Sequence, residues 1–583
     1  SIVSSRDISS SGDSVSSVKD PVNISTDYLN GTAHNTIERL DFKIVDKNPI
    51  LISYNQQVKG TPEMGDGSAD IGDPEHLDGV FLSVSKDNGA TWKKETISNT
   101  SELTSTSVTW GTKEVDGAIV PNVISYPGHA QTPTMAINDD KIIIAWNDKY
   151  CPNNTLFEND YFAVNGEQGF IDYEGIEAPN GKTMYQVPFS CVWTKRGTID
   201  KTDATIVWKE AQQLTSGTRD SNHIWIEGSD AGFAMTWQED REGLRPGDAE
   251  GPGEGWSGAT TNHGSDIWYS SLEDSKFDND VNFNYPIRLT DNEKCTLGDE
   301  KQYCQDLCAD YGYQTLIANG DSAKETKRCN SPYTDNLSAF TTTLDGDTGA
   351  SRPAVKILKT DKNEDVVVVG YEETKGLSQS SAGVPDKIIT NISDEGKAVF
   401  FESFLFNEAA NIDLSGDKKI TDYPVPMISS GKIVSEKYPE EGNSSNMIYE
   451  NARRLVIGTQ VDSSMPSTNQ KINFAFMYKQ SYDTQGSSSD MFVRTVKNGF
   501  TIDNFQDAVN VSSQVKPEIA LTTLVDYTGA WTTANLNDNT YDSPDENTFS
   551  PRIFLRADNI YVGYEYTPNE NAVNADGETT IPS

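Results

Sequence analysis

Acidic side chains recur at one fixed place in this sequence, two residues after an aromatic residue that ends an apolar run. They are Asp148, Glu239 and Glu373, with Asp240 and Glu372 beside two of them. Two neighbouring carboxyl groups, one with a raised pKa, are the groups that hydrolyse a glycosidic bond. The same acids can instead hold calcium or stay solvated, and no nucleophile stands out. We therefore treat them as weak catalytic candidates and favour a protein that is not an enzyme.

Three histidines are candidates for a transition-metal site. His34, His129 and His223 lie at or just before repeated strands, where they would meet if those strands surround one axis. Three imidazoles that converge bind copper or zinc. The alternative is that each histidine caps a turn in its own connection.

Two acidic segments predict calcium sites, because calcium takes oxygen ligands. The first follows the opening positions of an EF-hand-like loop with Asp413, Ser415, Asp417 and Lys419, although Lys418 replaces the usual glycine. The second is a glycine-rich segment with Asp66, Asp70 and Asp73. In both cases a solvated acidic turn is the alternative.

The six cysteines predict three disulfides and an oxidising compartment. They are Cys151, Cys191, Cys295, Cys304, Cys308 and Cys329. A zinc site in the last four is the alternative. If Cys151 pairs with Cys191, the bond closes a long connection at its base. We expect an extracellular or cell-surface protein.

Charge and hydropathy exclude several classes of function. The 583 residues carry a formal charge of −41, and basic residues cluster only as doublets, which argues against nucleic-acid binding. The apolar runs are far shorter than the ~20 residues of a membrane helix. The chain therefore reads as soluble and already processed, with calcium as the expected cofactor.

The elements that must position these residues form a degenerate repeat. An apolar run that ends in an aromatic residue occurs at residues 50–54, 142–146, 233–237, 366–371, 472–478 and 560–564. A short strand precedes most of these runs, and two more strands follow. Each repeat is therefore predicted to form a four-stranded sheet. Residues 21–25 resemble the fourth strand at 509–512. The pattern predicts one all-β domain over residues 1–583, a six-bladed β-propeller in which residues 1–25 complete the last blade. Residues 291–350 would be a cysteine-bearing insertion between the third and fourth blades.

One segment connects this repeat to a known superfamily. Ser85, Asp87, Gly89, Thr91 and Trp92 follow the pattern Ser-x-Asp-x-Gly-x-Thr-Trp. This pattern resembles the Asp-box, or BNR repeat, of sialidase-like β-propellers. The resemblance implies a structural turn in which Asp87 binds turn amides, Gly89 supplies a positive φ and Trp92 packs between sheets. The sialidase Arg-Ile-Pro motif and arginine triad are not recognisable, although Arg39 and Arg352 lie near strand starts. More loosely, the chain looks like acidic bacterial surface proteins.

The long connections predict where function lies. In a propeller, the connections at residues 55–78, 147–190, 238–265 and 291–350 would emerge on one face. Their aromatic residues Tyr161, Tyr173, Tyr185 and Trp256 can stack on sugars or anchor a protein, or form the cores of loops. We expect a binding protein for a surface glycan, protein or metal. The alternatives are a glycoside hydrolase of sialidase-like fold and a structural subunit of a cell-surface layer.

Overall fold

The fold is described from a computed structural model. It describes residues 37–45, 48–59, 77–153, 167–178, 181–240, 243, 265–279, 283–290, 316–317, 325–326, 348–360, 362–375, 397–407, 427–435, 438–440, 443–448, 452–460, 472–481, 489–512, 547–556 and 559–567. The chain divides into two compact units. The first comprises Ser1–Pro246, Ile267–Leu289 and Phe406–Val425, and the second comprises Gly247–Asp266, Thr290–Leu405 and Pro426–Ser583.

The described strands of the first unit form four sheets, in three of which the strands pair in chain order apart from inserted hairpins. The first sheet consists of β1 (Ile37–Ile44), β2 (Ile50–Lys59), β3 (Leu77–Ser85) and β4 (Lys93–Ser98). A hairpin follows, formed by β5 (Thr104–Val115) and β6 (Ala118–Pro127). The second sheet begins with β7 (Ala130–Asn138) and β8 (Lys141–Asp148). After the hairpin of β9 (Phe170–Ala178) and β10 (Gly181–Pro188), it continues with β11 (Cys191–Ile199), β12 (Ile206–Trp208) and β13 (Gln212–Gln213). The third sheet consists of β14 (Asp220–Ser229), β15 (Gly232–Asp240), β16 (Asp266–Glu273) and β17 (Ile287–Arg288).

The second unit repeats this arrangement. A small pair, β18 (Leu316–Ile317) and β19 (Glu325–Thr326), precedes a sheet of β20 (Thr348–Lys359), β21 (Asp365–Lys375), β22 (Lys397–Leu405) and β23 (Met427–Ile433). The pair β24 (Tyr438–Glu440) and β25 (Asn443–Ile448) leads to a sheet of β26 (Ala452–Thr459), β27 (Ile472–Ser481), β28 (Ser489–Lys497) and β29 (Val509–Asn510). The strands β30 (Asn547–Arg556) and β31 (Asn559–Thr567) form a final hairpin.

The second strand of each four-stranded sheet is buried on both faces. Every residue of β15 is buried, and β8 and β2 are buried over nearly their whole length. The reason is that successive sheets pack face to face, as when Ala136 and Ile143 of one sheet join Ile226 and Met235 of the next. A strand covered on both faces is a continuous apolar run rather than an alternating one, which explains the repeated pattern.

The all-β prediction is confirmed, and each predicted aromatic-ended run lies in a strand, from β2 to β31. The helical segments that the structure describes are short, such as the 3-10 helices Asp274–Lys276 and Ile502–Asn504. Closure into six blades stays a prediction, because residues 1–25 and most of 291–350 lie outside the described residues. Among the described residues, no helix has the length and hydropathy needed to cross a membrane.

The two hairpins of the first unit join into a sheet of their own, which we call the inserted sheet. Its strand order is β6-β5-β10-β9, and Tyr185 of β10 lies opposite Trp110 of β5. The β5–β6 turn at Asp116 and Gly117 has positive φ angles of 54° and 80°, as hairpin turns of this kind require. The sequence repeat did not predict this sheet.

Candidate functional site

The first strand of each sheet contains a β-bulge near its start. In β7 the register shifts between Gln131 and Thr134. The matching shifts lie at Glu38/Asp41 in β1, Asn222/Trp225 in β14, Ser351/Ala354 in β20, Arg453/Val456 in β26 and Phe549/Arg552 in β30. Bulges next to functional sites redirect a side chain. We call this end of each sheet, where the first strand starts and the second ends, the bulge end.

The first residue of the bulge has a left-handed backbone in four of these strands. Its φ is 48° at Thr132, 49° at His223, 51° at Arg352 and 55° at Arg454. Arg39 and Ser550 occupy the same position in β1 and β30. A positive φ is uncommon outside glycine and strained for a β-branched residue such as threonine. Because such strain concentrates at functional sites, the bulge ends are the candidate functional surface.

The second strand of each sheet ends at the bulge end with two buried polar residues. The pairs are Asn55 and Gln56, Asn147 and Asp148, Gln238 and Glu239, Glu372 and Glu373, and Lys479 and Gln480. Each pair follows the aromatic residue of the repeat, so the predicted recurrence of acids is part of a wider recurrence of buried polar groups. Burying such groups costs free energy unless they are hydrogen-bonded. Each pair therefore depends on partners from neighbouring strands.

Asp148 accepts several hydrogen bonds, and its side chain is completely buried. Its carboxylate accepts hydrogen bonds from Ser98 Oγ (3.3 Å), Thr100 Oγ1 (3.0 Å), Trp146 Nε1 (3.4 Å) and the backbone N–H groups of His129 (3.1 Å) and Tyr150 (2.9 Å). Burial raises the pKa of Asp148 to about 6 despite these bonds. Asp148 thus ties three segments of chain together.

The other two catalytic candidates are also buried. Glu239 is 3% exposed and accepts a hydrogen bond from Trp237 Nε1 at 2.9 Å, with Arg219 at 3.9 Å. Glu373 is 0% exposed and lies opposite Ala350 in the sheet. Both glutamates are therefore buried like Asp148, and a catalytic role for the three acids stays a prediction.

Asp78, which the sequence did not single out, is more accessible. It lies at the bulge end of β3, is only partly buried, and accepts hydrogen bonds from Asn55 Nδ2 (2.9 Å) and Gln131 Nε2 (3.5 Å). Burial raises its pKa to about 6. Its backbone N–H donates to His129 Nδ1 at 3.0 Å. Asp78 is therefore a carboxyl group that exchanges a proton near neutral pH beside a neutral imidazole.

This hydrogen bond bears on the predicted copper or zinc site. Because His129 Nδ1 accepts a hydrogen bond from the Asp78 backbone N–H, Nδ1 is occupied and the ring proton of the neutral imidazole lies on Nε2. Burial also lowers the pKa of His129 to about 3. Among the described residues, no group of three or more His, Cys, Asp or Glu side chains is placed to hold a metal ion. His34 lies outside the described residues, and the site stays a prediction.

Two arginines meet one buried glutamate in the second unit. Arg352 Nη1 of β20 lies 3.8 Å from Glu372 Oε1, and the backbone N–H of Arg454 in β26 donates to the same oxygen at 2.6 Å. Within the described residues, Glu372 Oε2 has no hydrogen-bond partner. Beside them, the buried Arg453 and Lys479 face each other across β26 and β27. Two neighbouring bulge ends that bear cationic residues thus meet at Glu372.

The segment that resembles an Asp-box is a hydrogen-bonded turn between β3 and β4. Asp87 accepts hydrogen bonds from Ser85 Oγ (2.9 Å) and from Thr91 through its N–H (2.7 Å) and Oγ1 (2.6 Å), which lower its pKa to about 2. Gly89 has a φ of 85°, and Trp92 Nε1 donates to the Gly89 carbonyl at 3.0 Å. The Trp92 ring packs against the core of the first sheet. These contacts give the turn a structural role.

Cys151 and Cys191 form a disulfide between the end of β8 and the start of β11. The bond closes a 40-residue separation that contains β9 and β10. In the chain-entropy model, a disulfide over this separation stabilises the fold by about 4 kcal/mol.

Other predicted residues lie outside the described ones. They are the remaining four cysteines, the calcium candidates Asp66, Asp70, Asp73, Asp413, Ser415, Asp417 and Lys419, and the aromatics Tyr161 and Trp256. Tyr173 lies in β9 and Tyr185 in β10.

Comparisons with known proteins give partial similarities. No protein-family model and no curated protein matches the chain. Among solved structures, Trypanosoma rangeli sialidase in complex with the inhibitor DANA has a TM-score of 0.35 at 11% identity, covering 92% of this chain and 54% of that chain. Penicillium chrysogenum alpha-L-arabinanase has a TM-score of 0.26 at 9% identity, covering 78% of this chain and 77% of that chain. The GH93 alpha-L-arabinofuranosidase of Fusarium graminearum has a TM-score of 0.27 at 7% identity, covering 82% and 93%.

The chain spans about half the length of the sialidase chain that it matches. At TM-scores of 0.35 or less, these similarities assign neither a family nor an activity to this chain.

Proposed function

We propose that this protein binds glycans at the bulge ends of its sheets, and that β20 and β26 bind the anionic group of an acidic sugar. The observation that carries this proposal is the shared contact of Glu372. Because Glu372 Oε1 meets both the Arg352 guanidinium and the Arg454 backbone, the two arginine-bearing bulges are parts of one cluster. Arg352 keeps 21% of its side chain exposed, so it can contact a ligand.

The charge of the protein makes this cluster notable. A chain with a formal charge of −41 repels anions unless a compact cationic site overcomes the general field. Four cations, Arg352, Arg453, Arg454 and Lys479, lie at two neighbouring bulge ends. The planar fork of arginine matches the two oxygens of a carboxylate. A sugar carboxylate is therefore the anion that we assign to this site.

An extracellular or cell-surface location belongs to the same proposal. The Cys151–Cys191 disulfide supports it, because such bonds persist in oxidising compartments. Calcium bound near Asp413 or Asp66 would serve as a structural ion. Elemental analysis before and after chelation, together with thermal stability, tests the calcium: we expect bound calcium and a lower melting temperature after its removal.

The binding proposal is tested with sugars that differ only in charge. Isothermal titration with N-acetylneuraminic acid, glucuronic acid and their neutral counterparts measures the preference. We expect tighter binding of an acidic member and at least a tenfold loss in Arg352→Ala, because one charge-assisted hydrogen bond is worth about 1.5–3 kcal/mol. Arg556→Ala, at the far end of β30, is the matched control and leaves affinity unchanged. Equal affinity for neutral sugars, or unchanged binding by Arg352→Ala, would contradict the proposal.

Asp78 favours one second candidate, a glycoside hydrolase with Asp78 as proton donor. Its pKa of about 6 keeps part of the carboxyl protonated near neutral pH, as a general acid requires. Release of methylumbelliferone from acidic and neutral glycosides measures the activity. A hydrolase would lose activity as the pH rises above about 6 and lose nearly all of it in Asp78→Asn. Sugar binding without any release would leave binding as the function.

A further inference from the structure

The inserted sheet has one apolar face, whose residues are buried near the base of the hairpins and partly exposed further from it. Near the base of the hairpins, Val108, Tyr126 and Val187 form a small buried core. One step further from the base, Trp110 and Tyr185 are only partly buried. Residues directly opposite each other in neighbouring strands share a face. Trp110 therefore shares this face with Tyr185, and Tyr173 is opposite Tyr185 in the next strand.

The rings on this face are fixed by one another. Trp110 meets Tyr185 edge to face at a centroid distance of 4.9 Å, and it meets Tyr126 in the same way at 6.1 Å. With strands spaced about 4.8 Å apart, the row of positions 110, 185 and 173 crosses roughly 10 Å of sheet. Within this row, Trp110 and Tyr185 are partly exposed aromatic residues.

The base of the inserted sheet is held rigidly against the second sheet. Ser105 Oγ pairs with Gln168 Oε1 at 2.9 Å, and Gln168 Nε2 donates to the Lys149 and Phe189 carbonyls at 2.8 and 2.7 Å. The N–H of Cys151 donates to the same Ser105 oxygen at 2.9 Å, beside the disulfide. The base of the inserted sheet is therefore attached beside the end of β8 that carries Asp148.

We propose that the aromatic face of the inserted sheet is a second glycan-binding surface, on which neutral sugar residues of a chain stack on Trp110 and Tyr185. Aromatic rings offer an apolar face to the C–H groups of a sugar and a polar edge to its hydroxyls. The tip of the β5–β6 hairpin has two exposed acidic residues, Glu114 and Asp116, and one exposed lysine, Lys113. Its net charge is therefore negative. These acids accept hydrogen bonds from hydroxyls and repel anions, which selects neutral sugars.

This inference rests on the proposed glycan binding, and its test separates the two surfaces. Titrations use the neutral chains cellohexaose, xylohexaose and arabinohexaose, each beside its disaccharide, with quenching of tryptophan fluorescence as a second readout. We expect one hexasaccharide to bind at least tenfold more tightly than its disaccharide. Trp110→Ala should lose at least tenfold in affinity and most of the quenching, and Tyr185→Ala should lose less.

Trp208→Ala is the matched control, because Trp208 is also partly buried in the same unit and lies in β12, away from the bulge ends. It should bind like the unaltered protein. Circular dichroism and disulfide mapping verify folding, and if Trp110→Ala does not fold, Trp110→Phe and Tyr185→Ala carry the test. Absence of binding by all three chains, or equal losses at Trp110 and Trp208, would overturn the inference. The inference would also be overturned if sedimentation showed a dimer that the Trp110→Ala substitution dissociates. A second copy of the chain would then cover the aromatic face.

Arg352→Ala distinguishes failure of the inference from failure of the proposed function. It should lose the acidic sugars and keep the neutral hexasaccharide, whereas Trp110→Ala should do the reverse. Acidic sugars bound without any neutral chain would refute the second surface alone. A protein that binds neither would refute both.

Discussion

Two aspartates of the first unit have similar partners and opposite acidities. Asp87 accepts hydrogen bonds from Ser85 and Thr91 in an exposed turn, and its pKa is lowered to about 2. Asp148 accepts more hydrogen bonds at a bulge end, yet burial raises its pKa to about 6. The number of hydrogen bonds therefore does not decide the acidity. Removal of the charge from water outweighs them at Asp148.

The largest effect is expected from removing the buried acid. Asp148→Ala should lower the free energy of unfolding by about 3–5 kcal/mol, because several buried donors lose a charged acceptor at once. The donors include Thr100 Oγ1, Trp146 Nε1 and the His129 N–H. Urea unfolding followed by tryptophan fluorescence measures the change. A loss below about 1 kcal/mol would show that solvent replaces these partners.

Asp78, which is more exposed than Asp148 and more buried than Asp87, tests whether burial raises the pKa of a carboxyl group. Its native pKa of about 6 lies above its ordinary value of 3.8, so the native state holds its proton longer than the unfolded state. The unaltered protein should therefore lose more stability than Asp78→Asn as the pH rises from 4 to 6, because Asp148 titrates over the same range in both proteins. Two pKa units correspond to about 3 kcal/mol, which partial exposure reduces to about 2.

The measurement is urea unfolding of both proteins at pH 4, 5, 6 and 7. The variant should gain stability relative to the unaltered protein over this range and then stay level. Asp87→Asn is a control of opposite sign, because its native pKa lies below 3.8 and its advantage is lost only in stronger acid. A difference that does not depend on pH would contradict the assignment for Asp78.

The smallest effect is expected at the exposed turn. Asp87→Ala should lower the melting temperature by no more than a few degrees, because Asp87 and Thr91 are exposed and solvent replaces the hydrogen bonds that Thr91 loses. Differential scanning calorimetry measures the shift, with Asp116→Ala in the exposed β5–β6 turn as the control. A loss as large as that of Asp148→Ala would show that the turn stabilises more than its own segment.

The same contrast explains what the sequence could predict. The partners of Asp87 lie within four residues, so a short motif contains the whole turn. The second strands were predictable because burial on both faces leaves a continuous apolar run that ends in an aromatic residue. The partners of Asp148 extend from Ser98 to Tyr150, and no local pattern encodes them.

The missed features have the same cause. Asp78 and Arg454 gain their significance from neighbours in other strands, His129 and Glu372. The inserted sheet forms only when two hairpins from separate connections pair, although the Asp116-Gly117 turn was a local signal for the first hairpin. Pairing between connections is a tertiary contact, and residue order alone did not indicate it.

The recurrent bulge has a consequence for how proteins of this kind diversify. One backbone shape presents threonine, histidine or arginine at Thr132, His223, Arg352 and Arg454. The peptide geometry there does not depend on which side chain it bears. A single codon change at such a position can therefore replace a hydroxyl with an imidazole or a guanidinium and alter ligand preference, while the surrounding strands keep their register.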